Sequence, residues 1–150
     1  MLTNGCLQEE IKFITHPELL LTKLFPGAML DNDAIIVTGA LQYVNHSGYA
    51  NNFQCLGEAD PQGSTSMPVI AIDALDFSKR NPQDQFKKEN IDREWQKAYA
   101  GFSGVDSSFE TIATGNWGGG SFKVRKAFIK YFGFFYILNK KNCTYIRQQC

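Results

Sequence analysis

The feature that most constrains the fold of this chain is a glycine-rich stretch, residues 114–122, which contains three consecutive glycines. A β-type run at 109–113 leads into it, and a run compatible with a helix starts near Ser121. Glycines between a strand and a helix leave backbone N–H groups beside a helix N-terminus, with no Cβ to keep a ligand away. The arrangement suits a phosphate or diphosphate, but on this stretch alone we favour a plain connecting turn, because such glycine turns are common. It is neither a Walker loop nor the dinucleotide fingerprint, because the following Lys-Ser/Thr and the glycine spacing are missing.

A second candidate site lies near the start of the chain, where Glu9 and Glu10 follow Gln8. Carboxylates in the first turn of a helix offset the positive end of the helix dipole, and on the doublet alone we favour this interpretation. The alternative is a general acid beside a substrate-orienting carboxylate. Two acids held close together disfavour each other's ionised forms, and cleavage of a glycosidic bond needs a proton for the leaving oxygen.

Composition sets the class of protein. The chain has 150 residues, enough for one domain, with 43% hydrophobic and 20% charged residues, as in ordinary globular proteins. A net charge of zero argues against a broad basic surface for duplex nucleic acid. His16 and His46 have no partner at metal-ligand spacing, so we expect no metal and no cofactor. The four cysteines form no Cys-x-x-Cys pair and indicate reduced thiols inside the cell: Cys6, Cys55, Cys143 and Cys150.

Apolar patterning predicts the order of helices and strands. Helices are expected at residues 9–25, interrupted at Pro17, and at 84–99, with a loop over 51–68. Buried strands are expected at 34–38, 69–74 and 109–113, as adjacent central strands of one sheet. Strands separated by helices indicate an α/β layered domain with at least partly parallel pairing. Ligands in such domains sit at the carboxyl ends of strands, where Thr38-Gly39 and Thr114-Gly115 lie.

Several short segments now match one family in order and spacing. They are 8–10 (Gln-Glu-Glu), 38–43 (Thr-Gly-Ala-Leu-Gln-Tyr), 48–50 (Gly-Tyr-Ala), 71–75 (Ala-Ile-Asp-Ala-Leu), 97–102 (Lys-Ala-Tyr-Ala-Gly-Phe) and 113–122 (Ala-Thr-Gly-Asn-Trp-Gly-Gly-Gly-Ser-Phe). Over about residues 5–122 the chain resembles the catalytic domain of poly(ADP-ribose) glycohydrolases. The resemblance implies an α/β fold of the macrodomain type, with three α/β/α layers and a mixed sheet, that binds ADP-ribose.

The resemblance also implies roles for individual residues. Glu10 matches the catalytic acid that protonates the leaving ribose oxygen, and Glu9 matches the neighbour that holds the ribose hydroxyls. Tyr49 matches the aromatic residue that stacks on adenine, and Phe122 the one that orients the terminal ribose. The remaining substrate-binding positions are Gln8, Asn116 and the diphosphate loop of Gly118, Gly119, Gly120 and Ser121.

The chain departs from the family pattern at both ends. The family has a run of glycines several residues before Gln-Glu-Glu, and here only Gly5 stands at that place. We therefore expect a partial catalytic domain over residues 1–122 with an incomplete sheet. Residues 123–150 are expected to form a divergent tail, helical in part, whose apolar core at 131–138 is too short to span a membrane.

Three functions stay open at this point. The chain is a glycosidase that hydrolyses ribose–ribose bonds of poly(ADP-ribose), an ADP-ribose-binding module without turnover, or an inactive truncated paralogue. The resemblance implies poly(ADP-ribose), ADP-ribose and poly(ADP-ribosyl)ated proteins as partners, with no duplex nucleic acid and no membrane. It also implies a place in the nucleus or cytoplasm and a link to the DNA damage response.

Overall fold

The computed structural model describes residues 7–24, 27–60, 67–106, 109, 111–114, 117–125 and 144–147. Two α-helices lie in this part of the chain, α1 (Gln8–Thr15) and α2 (Lys88–Ser103), each next to a 3₁₀ helix, Pro17–Leu24 after α1 and Pro82–Phe86 before α2. The strands are β1 (Ile35–Val37), β2 (Val44–Ser47), β3 (Gln54–Glu58), β4 (Val69–Ala71), β5 (Thr111–Thr114) and β6 (Thr144–Arg147).

The two predicted helical regions are confirmed, each as a pair of elements. The region predicted at 9–25 contains α1 and then a 3₁₀ helix that begins at Pro17 and ends at Leu24. Proline lacks the N–H that would continue an α-helix, which explains the break after Thr15. Ile11 and Thr15 are buried on α1, and Leu19 is buried on the 3₁₀ helix.

The strand predictions are confirmed in part. β1 and β4 pair in a two-stranded sheet, as expected, although both strands are shorter than predicted. The expectation that the third strand lies beside them is wrong within the described residues, because β5 pairs in parallel with β6. β6 belongs to the tail that was expected to be divergent and helical in part. Its Thr, Tyr and Ile residues favour a strand. The helix expected in part of the tail falls outside the described residues.

A hairpin occupies part of the predicted loop. β2 and β3 pair antiparallel, so the expectation of a loop over 51–68 is wrong at Gln54–Glu58. All five residues of β3 are exposed, so no apolar alternation marks the strand in the sequence. Gly48 makes the turn possible: it has φ +75°, and a Cβ there would overlap the backbone oxygen of Asn52.

The chain divides into two compact units. The first contains Met1–Ala28 and Ile36–Val69, and the second contains Met29–Ile35 and Ile70–Cys150. In the second unit Phe77 and Val124 are buried against each other, with Leu75 and Ile91 packed around them. The carboxylates of α1 and Tyr49 lie in the first unit, and the glycine-rich stretch lies in the second.

Candidate functional site

The carboxylate pair lies in the first turn of α1. The backbone N–H of Leu7 donates to Oε2 of Glu10 at 2.8 Å, and this contact places the Glu10 carboxylate at the N-terminal end of the helix. Glu9 is exposed, whereas Gln8 and Glu10 are half-buried. Glu10 therefore has the role at the helix N-terminus that the doublet predicted. The hydrogen bond from Leu7 also fixes the position of its carboxylate.

A buried polar group holds the other end of α1. The hydroxyl of Thr15 donates to the carbonyl of Ile11 at 2.9 Å and lies 2.8 Å from Nδ1 of His16. The N–H of Tyr43 donates to the Thr15 carbonyl at 2.9 Å and attaches the helix to the segment before β2. Burial and, after it, the positive charge of Lys12 lower the pKa of His16 below the usual value for histidine.

Tyr49 lies at the tip of the β2–β3 hairpin. Its carbonyl accepts from the N–H of Asn52 at 3.0 Å, which closes the turn, and its side chain is 41% exposed. The neighbouring Ala50 has φ +51°, a conformation that L-residues adopt at a cost. The turn thus presents the Tyr49 ring to solvent, where a base can stack on it.

The glycine-rich stretch is described from Trp117 onward. Gly118 has φ +69°, and a Cβ there would lie 2.5 Å from Val124 Cγ2 and 2.9 Å from Ala74 Cβ. A Cβ at Gly120 would meet nothing within 4 Å. Gly118 is therefore required by the protein's own packing, while Gly120 borders open space. Asn116 lies outside the described residues.

The residues after the glycines do not form the predicted helix within 121–125. Ser121 and Phe122 form a turn, and Lys123 has φ +59°, outside the right-handed helical region. The N–H of Val124 donates back to the Gly118 carbonyl at 3.0 Å. Gly119, Ser121 and the ring of Phe122 are exposed around this closed turn. An anion here would meet loop N–H groups, without the dipole of a helix starting at Ser121.

A network of charged side chains connects α2 to Asp73, and it was not predicted from the sequence. Arg93 on α2 donates to both the carbonyl and the carboxylate of Asp73, and it pairs with Glu94 at 2.7 Å and with Asp31 at 3.0 Å. Lys97 is fully buried and lies 2.7 Å from the other carboxylate oxygen of Asp73. The sequence contains one indication of this network: Asp73 interrupts an otherwise apolar run. A charged side chain at such a position needs a partner of opposite charge.

The pKa values of this network have opposite shifts. Burial alone would raise the pKa of Asp73, but hydrogen bonds from Lys97 and Arg93 outweigh it and lower the value. Burial raises the pKa of Glu94, which Arg93 and the N–H of Leu75 only partly oppose. Lys97 also donates to the carbonyls of Leu30 and Asp33. The network therefore joins α2 to the segments that precede β1 and follow β4.

The described residues contain no group of three or more His, Cys, Asp or Glu side chains that could hold a metal ion. Within the same residues, no helix has the length and apolar character needed to cross a membrane.

Comparison with known proteins identifies the family. Residues 1–131 match the family described as poly(ADP-ribose) glycohydrolase, macro domain fold. The chain is 37% identical over 115 residues to poly(ADP-ribose) glycohydrolase 1 of Arabidopsis thaliana, which covers 73% of the chain and 20% of that protein. It is 34% identical over 140 residues to poly(ADP-ribose) glycohydrolase 1 of Caenorhabditis elegans, which covers 81% of the chain and 18% of that protein. Glycohydrolase 2 of Caenorhabditis elegans is 28% identical over 143 residues, covering 84% of the chain and 30% of that protein.

The chain thus spans between 18% and 30% of the length of these curated relatives. The match reaches residue 131, beyond the limit near residue 122 expected from the motifs. Both strand directions expected of a mixed α/β fold occur, antiparallel in β2–β3 and parallel in β5–β6. The predicted α/β fold of the macrodomain type is confirmed, and this chain belongs to the poly(ADP-ribose) glycohydrolase family.

Proposed function

We propose that this chain binds ADP-ribose units and hydrolyses ribose–ribose O-glycosidic bonds of poly(ADP-ribose), releasing ADP-ribose. One observation carries the proposal: the match to the family over residues 1–131 includes both the carboxylate pair of α1 and the glycine loop. The relatives from Arabidopsis thaliana and Caenorhabditis elegans are named poly(ADP-ribose) glycohydrolases. Because the chain spans a small part of their length, its own turnover has to be measured.

In this mechanism Glu10 is the general acid. Its carboxyl group donates a proton to the ribose oxygen that leaves, because an alkoxide is a poor leaving group at neutral pH. Water then adds to the anomeric carbon, and the proton that this water loses returns to the Glu10 carboxylate. Glu9, exposed on the same turn, holds the ribose hydroxyls so that the scissile bond stays near that proton. Correct placement matters because a small displacement of the reacting bond lowers the rate strongly.

The binding residues act on other parts of the ligand. Tyr49 supplies an exposed ring for adenine, and base–aromatic stacking contributes about 1–3 kcal/mol. Backbone N–H groups of the exposed residues Gly119 and Gly120 donate hydrogen bonds to the diphosphate. Phe122, 39% exposed beside them, orients the terminal ribose. Gln8 and Asn116 are the remaining proposed substrate-binding residues, because both lie in motifs that match the family.

A second function is an ADP-ribose-binding module without turnover. The contact between Leu7 N–H and Glu10 Oε2 favours it, because it gives this glutamate a structural role that survives the loss of catalysis. Tyr49 lies on a separate hairpin, so adenine stacking does not depend on the acid.

The experiment that tests the proposal measures release of ADP-ribose from polymer by the 150-residue chain and by Glu10→Gln. Glutamine keeps the shape of the side chain without the transferable proton, so the rate should fall by about 10²–10⁴-fold while ADP-ribose binding survives. Glu89→Gln is the matched control, because Glu89 is an exposed acid in the first turn of α2.

The outcomes separate the functions. Turnover lost only in Glu10→Gln supports the glycosidase, and ADP-ribose binding without turnover in the unmodified chain supports the binding module. Equal polymer hydrolysis by Glu10→Gln contradicts the role of the acid. A folded chain that neither binds nor cleaves contradicts both functions.

We also propose that the natural substrate is polymer attached to proteins in the nucleus or cytoplasm, with a role in the DNA damage response. The support is chemical, since the proposed substrate is a protein modification, and the family match is its only basis. Microscopy of the tagged chain before and after DNA damage tests the location. Polymer-modified proteins offered with unmodified ones test the partner.

A further inference from the structure

The glycine loop, residues 117–125, is fixed by contacts with other residues of the second unit. Near its middle, the N–H of Phe77 donates to the Phe122 carbonyl at 2.9 Å. At its start, Ala74 occupies the space where a side chain at Gly118 would lie. The segment 73–77, which we name the anchor segment, therefore contacts the loop at two places.

Glu94 on α2 fixes the anchor segment. It is 2% exposed, and its Oε1 accepts from the N–H of Leu75 at 3.1 Å and from Arg93 at 2.7 Å. The same Arg93 donates to the carbonyl of Asp73 at 2.8 Å. Glu94 and Arg93 thus bind the backbone of the anchor segment on both sides of Ala74, the residue that packs against Gly118.

Gln85 holds the end of the loop directly. Its side chain is fully buried, donates to the Pro82 carbonyl at 2.6 Å, and accepts from the N–H of Arg125 at 2.8 Å. A buried amide with both ends bonded has one orientation, because reversing it would leave a donor facing a donor. The N–H of Arg125 is therefore held at a fixed point.

We propose that Glu94 and Gln85 are positioning residues of the glycine loop: without contacting the ligand, they fix the loop in the conformation that receives the diphosphate. The choice of ADP-ribose as the ligand rests on the proposed function. The fixing of the loop conformation by Glu94 and Gln85 does not depend on it. Together the two residues act on the loop at Gly118, at Phe122 and at Arg125, which include both ends of the described turn.

When one of these two acceptors is removed, the loop can adopt a conformation that does not bind ADP-ribose. Leaving a buried N–H without an acceptor costs about 1–3 kcal/mol, so the loop shifts toward arrangements that expose that N–H to water. Apparent affinity falls in proportion to the fraction of molecules with the loop in place. We expect Gln85→Met and Glu94→Met, which remove the accepting oxygen, each to weaken ADP-ribose binding by about tenfold.

The test uses the loop's own tryptophan as a reporter. The chain has two tryptophans, and Trp117 begins the loop while Trp95 lies on α2. A Trp95→Phe background leaves Trp117 as the single reporter. Acrylamide quenching of its fluorescence and calorimetric binding of ADP-ribose are measured on the 150-residue chain with Gln85→Met or Glu94→Met.

Asn90→Ala is the matched control. The side chain of Asn90 donates to the Asp84 carbonyl at 2.7 Å and links the 3₁₀ helix to α2. It should lower stability with no change in Trp117 quenching or in ADP-ribose affinity. Gln85→Met and Glu94→Met should raise quenching and weaken binding while the protein remains folded by circular dichroism.

Each outcome has a defined meaning. Unchanged Trp117 quenching in both variants overturns the positioning role, whatever happens to ADP-ribose. If the unmodified chain does not bind ADP-ribose, the proposed function fails and the quenching still decides the geometry. Should the variants not fold, hydrogen exchange of the unmodified chain decides: protected amides at Leu75, Phe77 and Arg125 support the proposal, and exchange at unprotected rates overturns it.

Discussion

Replacing Gly118 by alanine is the most direct test of how the glycine loop is built, and Gly120→Ala is its control within the same loop. A Cβ at Gly118 would lie 2.5 Å from Val124 and 2.9 Å from Ala74, and φ is +69°. A Cβ at Gly120 would meet nothing within 4 Å, and its φ lies outside the left-handed range. The two substitutions add the same methyl group to different surroundings.

The expected loss of stability follows from three terms. The left-handed conformation costs an L-residue about 1–2 kcal/mol, and an extra methyl in a filled space costs about 1–3 kcal/mol. Alanine also restricts the unfolded chain, which returns about 0.4–1 kcal/mol. The net loss for Gly118→Ala is therefore about 3 kcal/mol, while Gly120→Ala should stay within about 0.5 kcal/mol of the parent.

Urea unfolding followed by far-UV circular dichroism measures both free energies of unfolding, and equal slopes for all three proteins make the midpoints comparable. A loss of about 3 kcal/mol corresponds to a melting temperature lower by about 6–12 °C in a chain of this size. If Gly118→Ala and Gly120→Ala unfold at the same urea concentration, the structural requirement for Gly118 is refuted. Weaker ADP-ribose binding by a stable Gly120→Ala would indicate that the ligand occupies the open side.

Three further outcomes are expected. Tyr49→Ala should weaken ADP-ribose binding in calorimetry by about 1–3 kcal/mol through lost stacking, whereas Tyr99→Ala, which removes an exposed tyrosine of α2, should not. Gly101→Ala should destabilise by about 1–2 kcal/mol in urea, because its Cβ would lie 2.9 Å from two isoleucine methyl groups and the gain in helix propensity offsets only part of the clash. The folded-state pKa of Asp73 is lowered, so its contribution to stability is present above the unfolded pKa and is lost as pH falls below about 4. Urea midpoints between pH 3 and 7 should show that Asp73→Asn destabilises at neutral pH and reduces this acid-dependent loss. A variant with the parent's full pH dependence would contradict the pairing with Arg93 and Lys97.

The sequence predicted those elements whose apolar residues repeat at a fixed period. The helix at 84–99 and the strand at 69–74 were predicted in this way, because the residues on the buried face of such elements are apolar and recur at a regular spacing. β3 was missed because its five residues are exposed and backbone pairing with β2 holds it. The pairing of β5 with β6 was missed because it joins residues far apart in the chain, and no local period records such a contact.

The same limit applies to the candidate site. The glycine run predicted a ligand loop, but composition does not distinguish Gly118, required by Val124 and Ala74, from Gly120, which borders open space. The network around Asp73 also escaped the sequence analysis, because Arg93, Glu94 and Lys97 resemble the solvated face of any helix until the fold buries them. Motifs gave the positions of candidate ligand residues, and only three-dimensional packing gives the residues that support them.

The two interpretations of Glu10 are compatible because they use the side chain differently. The N–H of Leu7 bonds to a single carboxylate oxygen, Oε2, so a proton can be carried by the other oxygen while the cap persists. A glutamine at this position retains an acceptor for Leu7 and loses the acidic proton. Glu10→Gln should therefore leave the helix terminus and the stability of α1 unchanged while turnover falls. This separation makes the loss of rate attributable to proton transfer, since a variant that also lost the cap would displace Glu9 and the ribose it is proposed to hold.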